Sequence, residues 1–159
     1  MAMHTWFECK IRYEKVMENG MQKKVTEPYL VDALSFREAE ARIIEEMTPF
    51  ISGEFTVSDI KRANYSELFP SDEESADRWF KCKLIFITLD EKSGAEKKTS
   101  TQVLVQAADL RDAVKKLDEG MKGTMADYQI GMVSETPLMD VYPYSAEPND
   151  KPEFDPSKA

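Results

Sequence analysis

The chain contains an internal repeat. Its two tryptophans and two cysteines all lie in one six-residue pattern that occurs twice, as WFECKI from Trp6 and as WFKCKL from Trp79. At the same offset of 73 residues, YSELFP ending at Pro70 aligns with LMDVYP ending at Pro143. Between them, YLVDALSFREAEARIIEEM aligns with VLVQAADLRDAVKKLDEGM after one residue of slip. This agreement in order and spacing indicates an internal duplication, and two copies predict a pseudo-dimer rather than a solenoid.

Each copy opens with two predicted strands. Apolar residues alternate with charged ones after each tryptophan, which is the period of a half-buried strand. Asn19-Gly20 and Ser93-Gly94 supply hairpin turns, because glycine tolerates the positive φ that such turns require. The second strands end near Tyr29–Val31 and Val103–Val105. A hairpin in each copy predicts an antiparallel sheet.

One predicted helix follows each hairpin. Ser35 and Glu38 have the spacing of a capping box, and Asp109 with Asp112 forms a looser version. A third strand is predicted at about 54–60 and 127–133, and a short fourth segment at 65–69 and 138–142. We therefore predict an α+β fold, a tandem duplication of a ββαβ(β) unit. Its antiparallel sheets, each with one covering helix, are predicted to pack as a pseudo-dimer.

The predicted organisation is a single domain over residues 1–144, followed by a tail. The repeats cover 6–70 and 79–143, joined by a linker at 71–78. Residues 145–159 hold three prolines and little apolar content, which predicts a mobile acidic tail. The linker, at net −3, and the tail, at net −2, carry more than half of the net charge of −9. The folded parts are close to balanced, so the overall acidity is a weak argument against nucleic acid.

The cysteines and the tryptophans have different predicted environments. Cys9 and Cys82 fall on the apolar side of their strands, where we expect buried structural thiols rather than reactive ones. By strict alternation, Trp6 and Trp79 share the polar side of the same strands. Two alternatives stay open for these rings: they cover the core or the junction of the repeats, or they stand on an open face. We favour burial, because large aromatic side chains are usually mostly buried.

The sequence has no recognisable catalytic or metal-binding pattern. Two separated cysteines and a single histidine, His4, cannot supply the three or four suitably spaced ligands of a zinc site. A phosphate-binding loop, a dinucleotide-binding glycine motif and a nucleophile elbow are all missing. We therefore predict no catalytic, cofactor-binding or metal-binding residues, and no cofactor. An enzyme built from distant carboxylates stays as a third alternative that nothing in the sequence favours.

One surface has the composition of a binding site. Cations accompany both tryptophans on the polar side of their strands, and Lys61 and Arg62 lie near Tyr65 in sequence. Cations interleaved with aromatic rings are typical of single-strand nucleic-acid binding. A solvated strand face and turn are the simpler interpretation. The candidate binding surface comprises Trp6, Lys10, Arg12, Lys61, Arg62, Trp79, Lys81 and Lys83.

Three of these features also carry a resemblance. The repeated WF-x-C-K phrase, the SFREAEARI helix start and the ELFP ending resemble an uncharacterised family of short proteins from anaerobic gut bacteria and their mobile elements. The resemblance covers about residues 3–143 and implies a single compact unit. It implies no activity, cofactor or site residue.

Two function classes follow from these observations. We predict a non-enzymatic interaction or assembly protein with an unknown protein partner, serving as an accessory factor of a phage or mobile element. The alternative is a single-stranded nucleic-acid-binding protein that uses the Trp/Lys/Arg face, and we do not favour it. No run is apolar enough to span a bilayer or to act as a secretory segment, so we expect a cytoplasmic protein without a membrane partner. The oligomeric state is left open.

Overall fold

The computed structural model describes residues 5–124 and 127–143. The strands and helices of this part of the chain follow the order that the repeat predicts. They are β1 (Trp6–Val16), β2 (Gln22–Asp32), α1 (Phe36–Met47), β3 (Phe55–Ala63), β4 (Glu67–Phe69), β5 (Arg78–Leu89), β6 (Glu96–Ala107), α2 (Leu110–Gly120), β7 (Asp127–Glu135) and β8 (Asp140–Tyr142).

The strands form two four-stranded sheets that are mostly antiparallel. The strand orders are β3-β1-β2-β8 and β4-β6-β5-β7. Helix α1 packs on β1 and β2, and helix α2 packs on β6 and β7. The two sheets repeat one plan, so the predicted α+β class and the duplication of a strand-strand-helix-strand unit are confirmed.

The fourth strand of each repeat lies in the sheet of the other repeat. Strand β4, which ends the first repeat, pairs in parallel with β6, so that Glu67 lies opposite Val103 and Phe69 opposite Val105. Strand β8, which ends the second repeat, lies beside β2. The sequence predicted both strands as the last element of their own repeats, and it did not specify the strand beside which either one lies. Sequence order could not resolve this, because the two repeats offer equivalent sheet edges.

This exchange defines two compact units. Unit 1 contains the described residues up to Arg62 together with those from Val141 onward, and unit 2 is Ala63–Asp140. These units differ from the sequence repeats, because β4 belongs to unit 2 and the end of β8 belongs to unit 1. The predicted single domain over residues 1–144 stays a prediction. The predicted mobile tail lies outside the described residues, as does His4.

In each unit, one sheet face and one helix face form the core. The antiparallel register of β1 and β2 puts Phe7 opposite Val31 and Cys9 opposite Tyr29. Phe7 and Cys9 share one face of the sheet, because alternate residues of a strand point to the same side. This face packs on the apolar stripe of α1, which recurs every third or fourth helix residue. The unit 1 core contains Phe7, Cys9, Ile11, Val31, Ala33, Ala39, Ile43 and Met47. The unit 2 core contains Phe80, Cys82, Leu84, Val103, Val105, Ala107, Ala113 and Leu117.

Both helices begin at the predicted caps. The Ser35 hydroxyl accepts a hydrogen bond from the Glu38 amide at 3.1 Å, and the Asp109 carboxylate accepts one from the Asp112 amide at 2.8 Å. The Glu38 and Asp112 carboxylates in turn accept from the amide of the residue before each cap, at 2.7 and 2.9 Å. These bonds satisfy amides that the helix itself leaves unpaired, which fixes where each helix starts on its sheet.

Residues 1–70, expressed alone, are expected not to fold to a stable monomer. This fragment contains β4 but not β6, on which β4 pairs, and it lacks the β8 strand beside β2. A chain of this length also buries too little surface to compensate for the loss. Circular dichroism melting and sedimentation velocity measure the outcome. Mixing the fragment with residues 71–159 should restore cooperative unfolding, whereas a cooperative monomeric melt of 1–70 alone would contradict the exchange.

Candidate functional site

In unit 1, the predicted binding residues lie in different environments. The side chain of Trp6 is 2% exposed, Lys10 is half-buried, and Arg12 and Lys61 are exposed. The guanidinium of Arg62 lies 5.8 Å from the centroid of the Phe7 ring, at the distance of a cation–π contact. Arg62 therefore lies on the sheet face that carries Phe7. Lys10 lies on the opposite face, because successive side chains of a strand alternate between faces.

Unit 2 shows the same division. Trp79 is 4% exposed, and its carbonyl oxygen accepts hydrogen bonds from the amide and the hydroxyl of Thr136, both at 2.9 Å. Lys81 is half-buried and Lys83 is exposed. The interpretation that both tryptophans are buried is confirmed. A base would have no exposed indole face on which to stack, and the binding surface itself stays a prediction.

The two cysteines are free, buried thiols in the cores of their units. Burial, with a smaller contribution from the Glu8 charge, raises the pKa of Cys9 to about 12. Burial raises the pKa of Cys82 to about 11. The thiolate is the reactive form, so neither cysteine is placed for nucleophilic chemistry, as the strand pattern predicted.

A groove in unit 2 holds β4. One wall is strand β6, which pairs with β4 over Val103–Val105. The other wall is the end of α2, where the side chain of Phe69 packs against Gly120. A Cβ atom added to Gly120 would lie 2.9 Å from two carbons of the Phe69 ring. The absence of a side chain at residue 120 is therefore what admits the aromatic ring.

A lysine holds the segment that follows β4. The ammonium of Lys116 on α2 lies 2.9 Å from the Glu73 carboxylate and 3.1 Å from the Ser71 hydroxyl. It also lies 3.0 Å from the Asp112 carboxylate, one turn earlier on the helix. Partial burial acts to lower the pKa of Lys116, but hydrogen bonds to both carboxylates outweigh it and raise this pKa. Lys116 thus connects the residues after β4 to α2.

Unit 1 contains the corresponding arrangement around β8. The ring of Tyr142 stacks with that of Tyr29, with centroids 6.2 Å apart and planes 20° apart. Arg42, which aligns with Lys116 in the repeat, donates hydrogen bonds to the carbonyl oxygens of Asp32 and of Pro143, the latter at 3.2 Å. In each unit, a cation on the helix therefore holds the chain just after the exchanged strand.

The two grooves differ in polarity. In unit 1, one carboxylate oxygen of Glu27 accepts hydrogen bonds from the hydroxyls of Tyr13 and Tyr29, at 2.9 and 3.2 Å. Lys15 lies 3.7 Å from the other oxygen. Burial, followed by these contacts with Glu27, raises the pKa of both tyrosines. The aligned residues of unit 2 are Phe86, Thr101 and Val103, so its groove is the more apolar one.

Phe69 does not fill the groove of unit 2. Two open pockets border its ring, one of ≈ 420 Å³ that extends to Lys116 and one of ≈ 440 Å³ that extends to Phe86 and Met121. The sequence analysis did not identify this site. The available signal was the shared ending of the repeats, acid-aliphatic-aromatic-Pro, in Glu67–Pro70 and Asp140–Pro143.

Two further features bear on function. Within residues 5–124 and 127–143, no group of three or more His, Cys, Asp or Glu side chains is placed to hold a metal ion. In the same described residues, neither helix has the length and apolar character needed to cross a bilayer.

Comparison with known proteins identifies the family. Residues 5–144 match the family described as a domain of unknown function, DUF4494. The match spans most of the 159 residues, and the chain therefore belongs to this uncharacterised family. No curated protein and no solved structure matches the chain.

Gly120→Ala is expected to destabilise the protein by roughly 1 kcal/mol. Alanine is the better helix former, but its methyl group would lie 2.9 Å from two carbons of the Phe69 ring and would displace the ring, and this overpacking is the larger effect. Urea denaturation measures the change. In a Phe69→Leu background the same substitution should be neutral or stabilising. Stabilisation by Gly120→Ala in the natural chain would show that the ring lies elsewhere.

Native protein is expected to resist thiol reagents at mildly alkaline pH. Both thiols are buried, and their raised pKa values keep them protonated. Absorbance with a disulfide reagent should rise only as fast as the protein unfolds, and both thiols should react at once in denaturant. Rapid stoichiometric labelling of the folded protein would be incompatible with this placement.

Proposed function

We propose that this chain is a non-enzymatic interaction or assembly protein that binds a protein partner through unit 1. The observation that supports this is a set of large apolar side chains left in solvent around α1. Leu34 is 72% exposed before the helix, and Phe50 is 76% exposed after it. Phe36 and Ile44, both on the helix, are 49% and 41% exposed. Single exposed apolar residues are ordinary, but several of them on and beside one helix favour an interaction surface.

The second repeat supports this assignment by contrast. The positions that align with Leu34, Ile44 and Phe50 are occupied by Ala108, Asp118 and Thr124. Only Phe36 has an apolar counterpart, Leu110, which is 52% exposed. The two helices have side-chain caps at equivalent positions, and equivalent residues face their cores, Ala39 and Ile43 in α1 and Ala113 and Leu117 in α2. The fold therefore does not require exposed apolar residues around α1, which leaves binding as the better explanation.

Nucleic-acid binding is the less favoured alternative. The proposal of a stacking surface depended on Trp6 and Trp79, and both rings are at most 4% exposed. The exposed cations Arg12, Lys61 and Lys83 could still contact phosphates. Without exposed rings beside them, such contacts would be non-specific and strongly weakened by salt.

The cellular setting is part of the same proposal. Two free, buried thiols are consistent with a reducing compartment, which supports the cytoplasm. A role as an accessory factor of a phage or mobile element of anaerobic gut bacteria rests on the sequence resemblance alone.

The double variant Ile44→Asp, Phe50→Thr tests the proposal by giving unit 1 the residues of unit 2. Both side chains are exposed, so the free energy of unfolding should change by no more than about 0.5 kcal/mol. Affinity capture after cross-linking in the source cells should recover a defined partner with the natural chain and lose it with the variant.

Leu110→Asp is the matched control, because it adds a charge at a comparably exposed helix position of unit 2. This control should retain the partner. Equal recovery by the double variant would exclude the α1 surface. Salt-sensitive binding of single-stranded DNA, unchanged by the double variant, would favour the nucleic-acid alternative.

A further inference from the structure

The two repeats end in the same short pattern, and both copies of it occupy the same kind of site. Glu67–Pro70 and Asp140–Pro143 each read acid, aliphatic, aromatic, proline. The first lies along β6, in a sheet otherwise built by the second repeat, and the second lies beside β2, in a sheet otherwise built by the first. One peptide pattern thus lies beside the equivalent strand of both sheets.

Two positions of the pattern, and the residues that follow it, have matching features in the unit 2 groove. Backbone pairing with β6 holds Glu67 to Phe69 as an extended strand. The aromatic position packs on Gly120, where no side chain obstructs the ring. Proline then ends the strand, because it lacks the amide that further pairing would need. The ammonium of Lys116 donates hydrogen bonds to the Ser71 hydroxyl and the Glu73 carboxylate, which follow the proline.

The strand that occupies this groove is short, although Ser66 before it and Ser71 after it hydrogen-bond to Gln102 and Gln106 of β6. Strand β4 is three residues long, with Leu68 and Phe69 half-buried and Glu67 exposed. Open pockets of ≈ 420 and ≈ 440 Å³ remain on either side of the Phe69 ring. A short strand with few buried contacts opens at a small fraction of the global unfolding free energy. Local opening of β4 would vacate the groove without unfolding the rest of unit 2.

We propose that the unit 2 groove is a docking site for an extended segment of a partner protein with the pattern acid-aliphatic-aromatic-Pro. The partner strand adds to β6 in place of β4, with its aromatic ring on Gly120 and its following polar residues on Lys116. Strand addition supplies affinity through the backbone, and the Gly120 contact selects the aromatic residue. This inference deepens the proposed interaction function and rests on it, but it uses a different surface from α1.

A synthetic peptide of residues 65–74 added to the full-length Phe69→Ala variant tests the site. The variant leaves the ring position empty, so the peptide should bind in place of the weakened β4. Because a ligand that binds only the folded state stabilises it, the melting temperature should rise by roughly 5–10 °C at about a hundredfold excess over the dissociation constant. A peptide with alanine in place of Phe69 should give no rise.

Val57→Ala is the matched destabilised control, because Val57 packs in the unit 1 core away from the groove. The peptide should not raise its melting temperature. If Phe69→Ala does not fold, Leu68→Ala takes its place. In either background, amide chemical shifts of Val103–Val105 and Gly120 should move with added peptide.

The outcomes separate the alternatives. If the variant folds and the peptide changes neither its melting temperature nor its amide chemical shifts, the proposed docking site is wrong. Dimers that form without peptide, and that the peptide does not disperse, also overturn it, because the occupant is then β4 of a second copy. Neither result affects the partner-capture test on α1, so failure of this inference and failure of the proposed function are distinguishable.

Discussion

The exchange of β4 and β8 is the constraint on which the rest of this structure depends. Each sheet has three strands from one repeat and a fourth from the other, so neither repeat contains a complete sheet. The exchanged strands are only three residues long and supply few hydrogen bonds. Their placement therefore depends on the contacts around them, which are an aromatic ring, a following proline and a helix cation, Lys116 or Arg42. These contacts are paired between the units, as a duplicated origin requires.

Within this common plan, the two units differ where function is expected. Their cores are built from equivalent positions, and Cys9 and Cys82 occupy the same place in both. Unit 1 has apolar side chains exposed around α1 and a Tyr–Glu hydrogen-bond cluster beside β8. In the described residues of unit 2, the aligned helix exposes Leu110 but has no counterpart of Leu34, Ile44 or Phe50, and there is no Tyr–Glu cluster beside β4. Unit 2 instead has an apolar, partly open groove around Phe69. Duplicated elements that keep their core but change their surface are consistent with two different binding roles.

Much of the fold could be predicted from local pattern, and little of the site could. The strand alternation that starts at Trp6 and the cap at Ser35 were correctly interpreted, because backbone sterics and capping act over a few residues. The fourth strands were located but their neighbouring strands were not, since the edge residues Tyr29–Val31 and Val103–Val105 are almost equally suited to pair with them. The contact of Phe69 with Gly120 could not be predicted, because it joins positions that only the exchange brings together.

The strand exchange is tested most directly by measuring which strand lies beside β4. Nuclear Overhauser effects in the full-length protein report this, since paired strands bring backbone protons within a few ångströms of each other. The account predicts cross-strand effects between Leu68 and Leu104, which lie opposite each other in the parallel pairing of β4 with β6. In the alternative, β4 stays in its own repeat and pairs with β2, where Leu30 aligns with Leu104. Effects from Leu68 to Leu30, with none to Leu104, would contradict the exchange.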